Sequence, residues 1–114
     1  MDIKQFQADV KQLSDQLDSK SPERRVLYLL SELGEVADDM LDLLNAPINI
    51  SDSEREAMKR QLGMEIYDVI WNTVDLANML DIDLETAFAE KEAINAKRKW
   101  SRSGYLSEQT DDDE

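Results

Sequence analysis

The stretch Leu29–Ala46, LLSELGEVADDMLDLLNA, returns 33 residues later as Leu62–Met79, LGMEIYDVIWNTVDLANM. Leu29/Leu62, Glu32/Glu65, Val36/Val69, Asp42/Asp75, Leu43/Leu76 and Asn45/Asn78 are identical, and Leu33/Ile66 and Glu35/Asp68 are close replacements. Apolar residues recur at three- and four-residue steps in both copies, which makes each an amphipathic helix. Two such helices, packed antiparallel about a local pseudo-twofold, turn equivalent faces toward one groove. This doubled helix constrains the fold more than any other feature of the chain.

Each copy carries two acids three residues apart, Glu32 and Glu35, then Glu65 and Asp68. That spacing puts both on one side of a helix, one turn apart. With Leu29 and Leu62 as origins, Glu32 and Glu65 fall at about −60°, and Glu35 and Asp68 at about −120°. Face to face, the helices concentrate four negative charges, an arrangement that is costly without cations. Either pair alone reads as an ordinary solvated face. Matched in phase beside apolar stripes, the four read as a metal site. Asp38, Asp42 and Asp75 are expected on solvated faces, as is Asp39. Asp39 and Asn72, both near −80°, are nevertheless candidates for auxiliary ligands or supports of the ligands.

The chain has no histidine and no cysteine, which excludes disulfides, thiolate or imidazole zinc sites and histidine-based nucleophilic catalysis. A metal here must be held by oxygen, which points to Mg²⁺ or Mn²⁺ ahead of Ca²⁺. With three glycines there is no Gly-rich phosphate loop, so phosphate charge must be met by metal and basic side chains. The net charge of −13, four units of it from the terminal DDDE, argues against binding a nucleic acid polymer or an anionic membrane. No apolar run reaches the ~20 residues of a membrane span, and no secretory leader pattern opens the sequence. A cytoplasmic protein is the expectation.

The 114 residues suit one all-α domain, residues 1–100, with a polar acidic tail over 101–114. Four helices are expected. The first spans about Asp2–Asp18, on a stripe of Ile3, Phe6, Val10, Leu13 and Leu17. The second runs from Ser21-Pro22 to about Asn45, stopped by Pro47. The third runs from the capping box at Ser51 to about Leu80. The fourth spans about Leu84–Trp100, behind an N-cap at Asp83. The two acidic helices form the centre of a four-helix, bundle-like fold.

SELGEVADDM, EIYDVIW and LDIDLETAFAEKEAINAKRKW resemble the MazG-like nucleoside triphosphate pyrophosphohydrolases, of the all-α NTP pyrophosphatase superfamily. The resemblance covers roughly Tyr28–Trp100, and K-x3-N-x2-R-K-W sharpens it. It implies Mg²⁺-dependent cleavage of an NTP or dNTP, expected to be the deoxy form, to monophosphate and pyrophosphate, in house-cleaning or nucleotide-pool control. It also implies a homodimer or homotetramer. Glu32, Glu35, Glu65 and Asp68 would be its metal ligands, with Glu35 or Glu32 the carboxylate that activates water. Lys91, Asn95 and Arg98 would contact phosphate or nucleotide. Their i, i+4, i+7 spacing gives them one face of the fourth helix, although cations near a helix C-terminus are also favourable without a ligand. Tyr28 and Trp71 either meet a partner subunit or stack on a base. A related pyrophosphatase of narrower substrate, dUTP or phosphoribosyl-ATP, is one alternative. A non-catalytic acidic helical adaptor for a basic protein is the other.

Overall fold

Local capping decides where the helices begin. In the computed structural model, which describes residues 1–17 and 21–98, the helices are α1 (Ile3–Ser14), α2 (Pro22–Leu44), α3 (Asp52–Met79) and α4 (Leu84–Lys97). No strand occurs among the described residues. Asp2 accepts from the Gln5 N–H at 2.8 Å, and Ser21 from the Arg24 N–H at 3.2 Å, with Pro22 just inside the helix. At Ser51 the capping box closes in both directions, at 3.1 and 3.3 Å. Asp83 accepts from the Glu85 N–H at 3.2 Å and the Thr86 hydroxyl at 2.8 Å.

The end of α3 is a Schellman turn made without glycine. Asp81 takes φ 56°, its N–H donates to the Asn78 carbonyl, and the Ile82 N–H donates to the Ala77 carbonyl. Aspartate is among the few residues that tolerate this conformation. The turn separates two compact units, Met1–Ile82 and a second beginning at Asp83, so the packed unit that carries the acids is built from three helices.

Within the first unit α2 and α3 share the longest interface, and α1 lies against α3. The less exposed positions of α2 are Arg25, Leu29, Glu32, Val36, Asp39 and Leu43, at alternating four- and three-residue steps. On α3 the matching series is Arg55, Met58, Leu62, Glu65, Val69 and Asn72. A mean spacing near 3.5 is that of a coiled-coil seam. The internal repeat is therefore the seam itself, since Leu29/Leu62, Glu32/Glu65, Val36/Val69 and Asp39/Asn72 occupy equivalent inward positions. Val10, Val74 and Ala77 are the buried apolar residues, at the end of the unit where α1 covers α3.

Three helix expectations change. α1 ends at Ser14, with Asp15 as its cap, and Leu13 and Leu17 are exposed. Ser14, not Leu13, is turned inward at 2 % exposure, in a small cavity shared with Asp75, Asn78 and Met79. α4 stops at Lys97, because Arg98 is extended and its N–H closes the last turn onto the Asn95 carbonyl at 3.1 Å. Asp18, Lys99, Trp100 and the acidic tail lie outside the described residues. No described helix is long and apolar enough to cross a membrane.

Candidate functional site

Inward spacing along α2 and α3 brings acids into the middle of the seam. Glu32 and Glu65 occupy equivalent half-buried positions, and Glu35 and Asp68, one turn on, lie at exposed positions. The Glu32 carboxyl is pushed up from its ordinary value first by burial, then by the charges of Glu35, Asp68 and Glu65. Three of the sequence-predicted acids thus act on the fourth, Glu32.

Asp39 joins them. Asp39 Oδ2 and Glu65 Oε1 are shielded from solvent, and neither receives a hydrogen bond from a donor among the described residues. Two ionised carboxylates offer each other only lone pairs. A proton held between them relieves this, and that contact is the first reason Asp39 titrates above its ordinary range, ahead of burial and the Glu65 charge. The Gln61 amide donates to Glu65 Oε2 at 3.0 Å. No described ion pair involves Glu32, Glu35, Asp39, Glu65 or Asp68.

Oxygen donors without neutralising cations fit a hard divalent ion. Their present placement does not form a finished cage, since among the described residues no group of three or more acids is arranged to hold an ion.

Nearer the start of α2 the seam is polar but balanced. Arg25 Nη1 donates to Asn72 Oδ1 at 2.6 Å, and Arg25 Nη2 stands 3.0 Å from Asp75 Oδ2. The latter contact is electrostatic, its geometry not being that of a hydrogen bond. The guanidinium also lies 5.9 Å from the Tyr28 ring centroid and 5.7 Å from that of Trp71. Asn72 Nδ2 donates to the Asp68 carbonyl at 2.8 Å. Asn72 thus has both ends of its amide engaged and supports the backbone beneath Asp68.

Asp75, expected on a solvated face, is 1 % exposed. Its repeat partner Asp42 does stay exposed; Asp75 instead faces Arg25 and lies beside Ser14 of α1. Sequence reasoning passed over Arg25. Its signal was an arginine at the apolar phase, four residues before Leu29. A cleft of about 670 Å³ opens along the first half of α2, lined by residues that include Arg24, Arg25, Tyr28, Ser31, Glu32 and Glu35.

Lys91, Asn95 and Arg98 belong to the second unit. Lys91 and Asn95 share a face of α4, but Arg98 leaves it because its backbone is extended. Asn95 Oδ1 and Arg98 Nε are shielded from solvent and have no hydrogen-bond partner among the described residues.

Compared with known proteins, the chain matches no family model, no curated protein and no solved structure. Its functional reading rests on its own residues.

Proposed function

We propose that this protein is a Mg²⁺-dependent nucleoside triphosphate pyrophosphohydrolase of the MazG-like type, which releases a nucleoside monophosphate and pyrophosphate. The observation that supports the reading is the equivalent placement of Glu32 and Glu65 on the seam of two repeated helices, each with a second acid one turn on, Glu35 and Asp68, and with no described ion pair to neutralise them. These four side chains would hold the ion. When bound, Mg²⁺ or Mn²⁺ supplies charge neutralisation and polarisation of the phosphoanhydride.

The protein's own groups do the rest. Water adds to phosphorus as the α–β bridging bond breaks, and a carboxylate takes its proton. Glu32, half-buried on the seam, is one candidate for that role. Glu35, one turn away, is the other candidate. Lys91, Asn95 and Arg98 are assigned to the phosphates, where cationic donors strengthen as charge develops.

A homodimer or homotetramer is part of this reading. Leu30, Leu33, Ala37, Met40 and Leu44 follow at three- and four-residue steps on α2, with Ile66 and Ile70 on α3, and all are exposed. A continuous apolar face of this kind marks an association surface. The same face supports the second reading, an acidic adaptor that binds another protein without catalysis.

Product analysis with a panel of NTPs and dNTPs, in Mg²⁺ and in EDTA, separates the two. The expected result is monophosphate plus pyrophosphate only with Mg²⁺, and a panel including dUTP and phosphoribosyl-ATP ranks the substrates. Glu32→Gln and Glu65→Gln are each expected to lower turnover by at least about a hundredfold while keeping the helical circular dichroism of the parent. Near-normal turnover in either variant would remove the assigned centre. No turnover of any nucleotide, with no stabilisation by Mg²⁺, would leave the adaptor.

A further inference from the structure

The proposed chemistry makes no use of Asp75, although its side chain is 2 % exposed and carries a charge. Arg25 Nη2 stands 3.0 Å from Asp75 Oδ2, but Oδ2 is shielded and has no hydrogen-bond partner among the described residues. Arg25 Nε is left in the same condition. The pair is thus balanced in charge and unsatisfied in hydrogen bonds, a costly state for a buried carboxylate. Asp75 borders a cavity of about 90 Å³, which the last turn of α1 closes over the end of α3. Lys11, Ser14 and Asp15 line it from α1 and its cap, and Asn78 and Met79 from α3. Two direct bonds hold these walls together. Asn78 Nδ2 donates to the Gln7 carbonyl at 3.1 Å, and the Gln7 side-chain amide donates to the Ile82 carbonyl at 2.7 Å.

We propose that this cavity is a hydration site that fastens α1 to α3. An ordered water donates to Asp75 Oδ2 and accepts from the Ser14 hydroxyl, and the Asn78 amide completes its shell. A held water needs roughly 10–15 Å³ of such space and two to four polar partners. Both conditions are met here. Charge decides against an ion, because Asp75 is matched by Arg25, and Asp15 by Lys11 at 3.1 Å. The lining therefore has no excess of either sign to offer. The same pair in the first copy of the repeat, Asp42 and Asn45, is exposed and reaches bulk solvent. α1 replaces that bulk hydration, at Asp75 and Asn78, by a molecule held between two helices. A bridge of this kind is nearly as favourable as a direct hydrogen bond. The site stands whether or not the acid centre is catalytic.

The test joins a crystal structure of the full chain, at a resolution that shows water, to thermal melting of Ser14 variants. The crystal should place a water within hydrogen-bond distance of both Ser14 Oγ and the Asp75 carboxylate. A cavity that is dry, or whose water touches neither group, would overturn the site. Ser14→Ala removes one partner without adding bulk and should lower the melting temperature by about 4 °C, the effect of one ordinary hydrogen bond. In the Arg25→Met, Asp75→Leu protein there is no carboxylate to hydrate. There the same substitution should cost less than about 1 °C, because the two positions couple only through the shared water. An equal cost in both backgrounds, or a Ser14→Ala protein as stable as its parent, would overturn the proposal. Melting in potassium, sodium and tetramethylammonium chloride at equal ionic strength tests for an ion in place of water. The three should agree within about 1 °C. A rise given by one small cation and lost in the Asp75 double variant would make the occupant an ion and refute the hydration site.

Discussion

Two stretches of the same helix pair treat buried charge in opposite ways. Near the start of α2, Arg25 is matched by Asp75 and Asn72 and flanked by the Tyr28 and Trp71 rings. Two to four turns further on, Glu32, Asp39 and Glu65 occupy equivalent seam positions, and Asp39 Oδ2 and Glu65 Oε1 lack any donor among the described residues. Both regions set polar groups where a coiled-coil seam would carry leucine or valine. The first has its counter-charge built in, and its polar groups fix the register of α2 on α3. The second has its charge left over, which serves stability poorly and is what the proposed cation site calls for. A polar seam position is thus not informative by itself; whether its charge is balanced from within the chain is what separates structure from function.

The largest stability effect should come from breaking the balanced end. Arg25→Ala leaves Asp75, whose side chain is 2 % exposed, as an unpaired buried charge. Removing one partner of such a pair costs about 3–5 kcal/mol, which at the low end lowers the melting temperature by roughly 12 °C in a domain this size. Arg25→Met with Asp75→Leu should recover most of that loss, because apolar replacement of a whole buried pair is often neutral. A fall of less than about 4 °C for Arg25→Ala, the equivalent of 1 kcal/mol or less, would mean that the ion pair is not the clamp the geometry indicates.

The unbalanced end should respond to metal instead. Mg²⁺ at about a hundred times its dissociation constant adds roughly 2.7 kcal/mol to the folded state. A melting scan should register that as an upward shift near 10 °C. Glu65→Gln should abolish the shift, and the Arg25→Met, Asp75→Leu protein should keep it. A shift that vanishes in the Arg25 double variant but survives Glu65→Gln would exchange the roles of the two regions.

The sequence carried the helices and the acid pairs because both depend on local rules. Ser21-Pro22, the Ser51 capping box and Asp83 act within one turn, and their starts fall where spacing placed them. The phase of Glu32 and Glu65 is legible for the same reason, as a helix fixes the angle between neighbours on it. What stayed hidden depends on what packs against what. Asp75 and Asp42 are identical in the repeat, and Asp75 is buried where Arg25 of α2 and the α1 residues around Ser14 come against it, while Asp42 stays exposed. Ser14 replaces Leu13 in the interior because α1 meets a polar cavity beside Asp75. Arg98 leaves the face of Lys91 because α4 frays one turn before its periodicity ends, and periodicity is blind to such an end. Asp39 needed both helices, since its significance lies in a second carboxylate across the seam.

The subtlest consequence of the comparison is a pH dependence confined to the acid end. Asp39 and Glu32 both titrate above their ordinary values in the folded protein. Each therefore binds its proton more tightly folded than unfolded, and stability falls as pH rises through the window from about 4 to the raised values. Above that window both groups are ionised in either state, and the destabilisation is complete. Metal-free Asp39→Asn should accordingly melt above the parent protein at pH 7, because the amide can donate to Glu65 where the carboxylate cannot. The difference should shrink as pH is lowered through the raised value, where the parent carboxyl regains its proton. Saturating Mg²⁺ should narrow it as well, since the ion relieves the same excess of charge. Melting curves of both proteins from pH 4 to pH 8, with and without Mg²⁺, measure all three effects. Parallel curves at every pH would mean that Asp39 and Glu65 share no proton, and the acid end would then reduce to the four carboxylates of the repeat.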